Sequence, residues 1–124
     1  MAKILVVDDD PDVRDLISEV LGRHELCFAS GGEEACAVAA SERPELIFLD
    51  LQLPDIPGTD VVQFLRDDAG FAEIPIVAIT GHGAELSVDA MELGCNDYLL
   101  KPFSIQDLDF MVESFIPSTT DASV

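Results

Sequence analysis

Residues 46–58 constrain the fold of this chain more than any other stretch. Four apolar residues, 46–49, lead directly into Asp50, and two prolines and a glycine follow by position 58. A short unbroken apolar run is typical of a strand buried on both faces, as in a parallel sheet. Because prolines and glycine end such a strand, Asp50 is predicted to lie at its carboxyl end, where open α/β sheets bind ligands. Its position alone also allows a plainer interpretation, in which Asp50 only caps a loop.

Segments with strand and helix patterns alternate along the whole chain. The predicted strands are 4–7, 26–29, 46–49, 76–79 and 98–100, and the predicted helices are 11–21, 33–41, 59–68, 85–93 and one that starts after Ser104. In that last helix, Ile105, Leu108, Val112 and Phe115 are predicted to share the buried face, with Phe110 opposite. This alternation predicts an α/β fold, in which five helices cover both faces of a doubly wound five-stranded parallel sheet.

The composition argues against several classes of function. The chain carries 25 acidic and 6 basic side chains, for a net charge of −19, whereas nucleic acids and anionic lipids attract basic surfaces. No apolar run approaches the ~20 residues that span a membrane. No signal peptide is visible, and the odd number of cysteines (Cys27, Cys36 and Cys95) favours reduced thiols in a cytoplasmic protein. Residues 1–116 are expected to form one domain, and 117–124 a disordered polar tail.

Polar side chains follow four of the five predicted strands. Asp8 and Asp9 follow the first, Asp50 the third, Thr80 the fourth and Lys101 the fifth. Two unit charges ~4 Å apart interact with ~4 kcal/mol at an effective dielectric near 20, so three carboxylates in one crevice favour a hard divalent cation, Mg²⁺ first. A cation, a hydroxyl and an ammonium around one carboxylate indicate a phosphoryl-transfer site with Asp50 as the in-line nucleophile. Each residue taken alone is also compatible with a surface or strand-end position without function.

The sequence resembles the receiver domain of bacterial two-component signalling, the CheY-like module, from residue 3 to about residue 116. The shared motifs are Val-Val-Asp-Asp at 6–9, Leu-Asp-Leu-Gln-Leu-Pro-Asp-Ile-Pro-Gly at 49–58, Ile-Thr-Gly at 79–81 and Tyr-Leu-Leu-Lys-Pro-Phe at 98–103. The resemblance implies a flavodoxin-like three-layer sandwich with strand order 2-1-3-4-5. It also implies that Asp50 accepts a phosphoryl group from a sensor histidine kinase or a histidine phosphotransfer protein.

The resemblance assigns further roles residue by residue. It implies that Asp9, Asp50 and the backbone carbonyl of Gln52 bind Mg²⁺ or Mn²⁺ directly, and that Asp8 holds a bound water of the same metal site. Thr80 and Tyr98 would be the switch pair, and the peptide bond before Pro102 would be cis. The expected output surface comprises the predicted helix 85–93, the fifth strand and the last helix. Through it a monomer would contact a downstream protein or form a phosphorylation-dependent homodimer.

Three positions are expected to tune how long the phosphoryl group persists. Gln52 and His82 should flank the path of the attacking water, and the small Gly81 should leave that path open. Two other functions stay open: a binding module of this fold that does not depend on phosphorylation, and a Mg²⁺-dependent phosphohydrolase. The second is disfavoured because such enzymes place an acid at the position of Gln52, and an amide cannot act as a general acid. The chain is therefore expected not to be an enzyme, but a phosphoacceptor that assists its own phosphorylation and dephosphorylation.

Overall fold

A computed structural model describes residues 2–81 and 91–116 of the chain. Its five strands form one parallel sheet in the order β2-β1-β3-β4-β5. The strands are β1 (Lys3–Val7), β2 (Glu25–Ala29), β3 (Leu46–Asp50), β4 (Ile76–Thr80) and β5 (Asp97–Leu100). The predicted fold class and strand order are confirmed.

Helices cover both faces of the sheet. They are α1 (Pro11–Val20), α2 (Gly32–Glu42), α3 (Gly58–Asp67), a short 3₁₀ helix (Ala69–Phe71) and the last helix (Ile105–Phe115). Most of the predicted helix 85–93 lies outside the described residues, and so does the predicted tail 117–124; residues 91–93 are helical. Within the described ranges, no helix is long and apolar enough to cross a membrane.

The sheet separates two apolar clusters because successive side chains of a strand point to opposite faces. In β1, Leu5 packs on the side of α2 and α3, while Ile4 packs on the side of α1 and the last helix. Every residue of β3 and of β4 is buried, as expected for central strands of a sheet covered on both faces. This packing fixes the carboxyl ends of the central strands along one edge.

The last helix starts as predicted but buries a different set of side chains. Ser104 caps it, since its hydroxyl accepts a hydrogen bond from the Asp107 N–H at 3.1 Å and the Asp107 carboxylate accepts one from the Ser104 N–H at 2.9 Å. Ile105 was expected in the buried stripe, but it is 52% exposed, and Met111 is buried instead. The prediction for Ile105 is wrong because a residue at the first helical position points back beyond the helix start. Phe110 is 66% exposed, as predicted.

Candidate functional site

The carboxyl ends of β1, β3, β4 and β5 bring the predicted site residues to one edge of the sheet. Register places Asp50 opposite Ile79 and Thr80 opposite Leu100, so the ends of the three strands are nearly level. Lys101 follows β5 directly, and its Nζ lies 3.0 Å from Asp50 Oδ2 and 3.2 Å from Asp8 Oδ2. One ammonium therefore joins carboxylates that are 42 residues apart in sequence.

Asp50 is held in place by two hydrogen-bond donors. Its Oδ1 accepts the Gln52 N–H at 2.8 Å, and its Oδ2 accepts a hydrogen bond from Lys101. The side chain sits at the rim of the sheet, where the residue is 4% exposed. The carboxylate is thus fixed in orientation at an edge of the core.

Asp8, Asp9 and Asp50 form a cluster of carboxylates. One oxygen from each residue lies within 4.8 Å of the other two. Asp8 and Asp50 are buried, whereas Asp9 is exposed. In the part of the chain that the structure describes, this is the one group of potential metal ligands.

Asp8 has a buried carboxylate oxygen without a hydrogen bond in the described part of the chain. Its Oδ1 accepts the Asp10 N–H at 2.9 Å, but its buried Oδ2 forms no hydrogen bond with any described residue and has only the ionic contact with Lys101. Burial raises the pKa of Asp8 to about 6, and the charge of Asp50 adds to this, although the Asp10 N–H and Lys101 act in the opposite direction. Further positive charge nearby would therefore favour the ionised form of Asp8.

Lys101 remains a cation within this cluster. Burial by itself would lower the pKa of Lys101, but the hydrogen bond to Asp50 and the charges of Asp8 and Asp50 outweigh it and raise the pKa. Its backbone N–H donates to the Thr80 carbonyl at 2.8 Å, which continues the β4–β5 ladder past the end of the strand. The Lys101–Pro102 peptide bond is cis, the geometry that the resemblance implies.

The residues at this edge fit a divalent cation. Lys101 balances one of the three carboxylate charges and leaves two. Asp8 Oδ2 is a buried oxygen with no hydrogen bond to a described residue, and carboxylate oxygens are the ligands that Mg²⁺ and Mn²⁺ prefer.

The remaining predicted site residues differ in exposure. Thr80 is fully buried at the end of β4, and Tyr98 on the neighbouring β5 is 38% exposed. Gln52 and Gly81 are exposed, and His82 lies outside the described residues. The roles of these residues in switching and in tuning the phosphoryl lifetime stay predictions.

Exposed large apolar side chains concentrate in one stretch of the described sequence. Of the six large apolar residues that are exposed, Phe64 lies on α3, and the other five lie between positions 91 and 110. Those five are Met91, Tyr98, Leu100, Ile105 and Phe110. They lie on or beside the elements of the expected output surface, which are the predicted helix 85–93, β5 and the last helix.

Asp55 is a residue near the site that sequence reasoning missed. It lies in the loop between β3 and α3, and its carboxylate accepts hydrogen bonds from the backbone of α2. The available signal was Gly31, a residue without a capping side chain at the start of a predicted helix. Asp55, which binds this helix end, is 23 residues from Gly32 and 22 residues from Glu33 in the sequence. Sequence spacing alone does not reveal such a distant partner.

A protein-family model and several known proteins match nearly the whole chain. A model of the response regulator receiver domain matches residues 4–113. The DNA-binding dual master transcriptional regulator RpaA of Synechocystis sp. is 36% identical over 123 residues, which cover 96% of this chain and 51% of that protein. The chain spans about half the length of the curated relatives it matches.

Solved structures resemble the fold closely. Chemotaxis response regulator CheY4 of Vibrio cholerae has a TM-score of 0.88 and 28% identity, over 94% of this chain and 99% of that one. The Mn(2+)-bound form of response regulator Rcp1 has a TM-score of 0.81 and 32% identity, over 96% of each chain.

Proposed function

Because this chain belongs to the receiver domain family of two-component response regulators, we propose that it accepts a phosphoryl group on Asp50. The observation that carries this proposal is the setting of the Asp50 carboxylate. It is fixed by Lys101 and the Gln52 N–H, at the end of a buried strand beside Asp8 and Asp9. Response regulators interact with histidine kinases and with downstream effectors. The proposed donor is accordingly a phosphohistidine on a kinase or on a histidine phosphotransfer protein.

In the proposed reaction, an Asp50 carboxylate oxygen forms a bond to phosphorus as the bond from phosphorus to the donor imidazole breaks. The imidazole nitrogen leaves with the electron pair of that bond and takes up a proton. The Lys101 ammonium, already 3.0 Å from Asp50, pairs with a phosphoryl oxygen, and the Thr80 hydroxyl donates to another. Asp8, Asp9, Asp50 and the Gln52 carbonyl would hold Mg²⁺ or Mn²⁺, which when bound neutralises charge on the phosphoryl oxygens.

The surface beside the site suits a protein donor. A groove of about 390 Å³ adjoins Lys101 and is lined by Asp10, Asp12, Val13, Leu16, Lys101, Pro102 and Phe103. A phosphohistidine is carried on a protein, so a partner must bring its own surface to this edge. The apolar side chains of the groove offer that partner a contact next to the proposed acceptor.

The proposed role is that of a phosphoacceptor and not of an enzyme acting on a separate substrate. Gln52, two residues after the proposed nucleophile, has an amide that cannot protonate a leaving group. We further propose that Gln52, Gly81 and His82 set the rate at which water removes the phosphoryl group. The downstream partner is proposed to be a protein, consistent with the net charge of −19 that disfavours direct contact with nucleic acid.

Phosphoryl uptake is the direct test of this function. Purified protein incubated with acetyl phosphate and Mg²⁺ is expected to gain one phosphoryl mass, measured by intact-protein mass spectrometry. Hydroxylamine should remove it, because an acyl phosphate is labile to that reagent. A matched sample with EDTA should stay unmodified. A folded protein that gains no mass with Mg²⁺ present would contradict the proposal.

We also propose that phosphorylation switches the surface formed by β5, the last helix and the helical residues before β5. Thr80 would move toward the phosphoryl group and Tyr98 would turn inward. This would be a shift between states that already exist. The exposed apolar residues at 91–110 support an output role for this surface, either toward a downstream protein or in a phosphorylation-dependent homodimer.

The switch can be followed by nuclear magnetic resonance. Beryllofluoride, a mimic of the phosphoryl group, is expected to move backbone amide signals across residues 97–112, far beyond the carboxylate cluster. The same addition to Asp50→Asn protein serves as the control and should change little. Signal changes confined to residues 8–10, 50–52 and 101 would argue against the switch.

A further inference from the structure

Asp55 ties the loop after β3 to the start of α2. Its carboxylate accepts the Gly32 N–H at 2.8 Å and the Glu33 N–H at 3.1 Å. These bonds, the one to Gly32 first, lower the pKa of Asp55 and keep it ionised, which suits the positive end of a helix. The residue at the N-cap of α2 is Gly31, which has no side chain to do this. Asp55 therefore supplies from another loop the cap that α2 lacks.

The contact leaves little room for a side chain at the N-cap of α2. A Cβ at Gly31 would lie 3.0 Å from Asp55 Oδ1 and 3.2 Å from its Cγ. Any larger residue at position 31 would therefore press on the Asp55 carboxylate. The glycine and the distant aspartate work together as one cap.

The same loop is anchored at its base. The Gly58 N–H donates to the Leu51 carbonyl at 2.9 Å, and a Cβ at Gly58 would lie 2.5 Å from the Asp50 carbonyl oxygen. The Gln52 N–H donates to Asp50 Oδ1 at 2.8 Å. Gln52 thus lies between two fixed points, the loop base at residues 51 and 58 and the tether at Asp55.

We propose that Asp55 is a positioning residue for the metal site. By binding the start of α2 it holds the 52–57 loop, and with it the Gln52 carbonyl, at the distance from Asp50 that a shared cation requires. The proposal rests on the proposed function, in which that carbonyl is a ligand. Asp55 acts through Gln52, because its own carboxylate is engaged by α2.

Two variants separate positioning from simple stabilisation of α2. Asp55→Ala is expected to lower the melting temperature and to weaken Mg²⁺ binding about 10-fold, as loss of outer support does at metal sites. The double variant Gly31→Ser, Asp55→Ala gives α2 a cap of its own, with the space at position 31 now free. Its melting temperature should recover while Mg²⁺ binding stays weak. Thermal denaturation in EDTA and calorimetric titration with MgCl₂ measure the two quantities.

Asp68→Ala is the matched control. Asp68 caps the 3₁₀ helix through the Gly70 N–H at 2.8 Å, so its loss should lower stability and leave Mg²⁺ affinity unchanged. Wild-type Mg²⁺ affinity in the double variant, or equal weakening in Asp68→Ala, would overturn the proposal.

Hydrogen exchange gives a second readout without metal or phosphate. The Gln52 amide, which donates to Asp50 in the wild type, should exchange faster in the double variant with EDTA present; an unchanged rate would also overturn the proposal. If instead the wild type binds Mg²⁺ but gains no phosphoryl mass, the proposed function fails while the role of Asp55 at the metal site stands.

Discussion

Replacing Asp50 with Asn is expected to abolish phosphoryl uptake from acetyl phosphate. The amide nitrogen has no free electron pair for attack on phosphorus, and the neutral amide oxygen is a far weaker nucleophile than a carboxylate. The fold should persist, because Asn has nearly the same shape and its oxygen can still accept the Gln52 N–H that Asp50 accepts at 2.8 Å. Intact-protein mass spectrometry should show no phosphoryl mass under conditions that label the wild type.

The control for Asp50→Asn is the same substitution at Asp60, an acidic residue in the first turn of α3. Asp60 is exposed and lies outside the carboxylate cluster, so Asp60→Asn should be labelled like the wild type. A label that persists in Asp50→Asn would move the acceptor to another residue. Digestion and mass analysis of the labelled peptide would then identify it.

The edge on which Asp50 lies was predictable because the residues before it are so uniform. The strands β3 and β4 are unbroken apolar runs, and such strands need both faces covered. A central position in a parallel sheet with helices on both faces provides that cover. Once the strands are parallel, their carboxyl ends must share an edge, and the residues that follow them must meet there. The same argument places Lys101 at this edge, because it directly follows the fifth strand. Lys101 is 51 residues from Asp50 in the sequence, and the two side chains form a hydrogen bond of 3.0 Å.

Residues whose partners come from several loops were not predictable. The Arg66 guanidinium donates to the carbonyls of Phe71, Ile74 and Gly94 and to Asn96 Oδ1, at 2.7, 2.7, 2.9 and 2.9 Å. In the sequence it is one basic residue near the end of an amphipathic helix, a pattern that equally fits a solvated side chain. Asp55 escaped notice for the same reason. These contacts form only in the tertiary structure, and the periodicity of helices or strands in the sequence does not predict them.

Asp8 and Asp9 show a second limit of sequence reasoning. The two residues are chemically identical and adjacent, and both follow a buried strand. Because successive side chains point in opposite directions at a strand end, one enters the core edge and the other faces water. Asp8 is fully buried and Asp9 is exposed. The electrostatic cost of the cluster therefore falls on Asp8.

Asp8→Asn is accordingly expected to stabilise the protein when no metal is present. The pKa of Asp8 is raised from 3.8 to about 6, so the folded state favours the protonated form. The stability that protonated Asp8 contributes is present below pH 3.8 and is lost as the pH rises through about 6. Asn never ionises and avoids this loss, which is on the order of 3 kcal/mol. Chemical denaturation in EDTA should show that the free energy of unfolding of Asp8→Asn rises relative to that of the wild type between pH 4 and 7.

Magnesium should narrow that difference at neutral pH. Ligand at 100 times its dissociation constant stabilises a folded protein by about 2.7 kcal/mol, and removing a carboxylate of the site should weaken Mg²⁺ binding at least 10-fold, about the loss seen for outer-shell groups. Saturating Mg²⁺ should therefore raise the melting temperature of the wild type by more than that of Asp8→Asn, and so reduce the difference measured in EDTA. Asp9→Asn is the matched comparison: it should lose Mg²⁺ affinity too, yet gain little stability in EDTA, because an exposed carboxylate is already solvated.

A lower stability of Asp8→Asn than of the wild type in EDTA at pH 7 would contradict this prediction. It would show that Lys101 alone satisfies the buried charge of Asp8, and the case for a cation at this edge would then rest on Asp9 and Asp50.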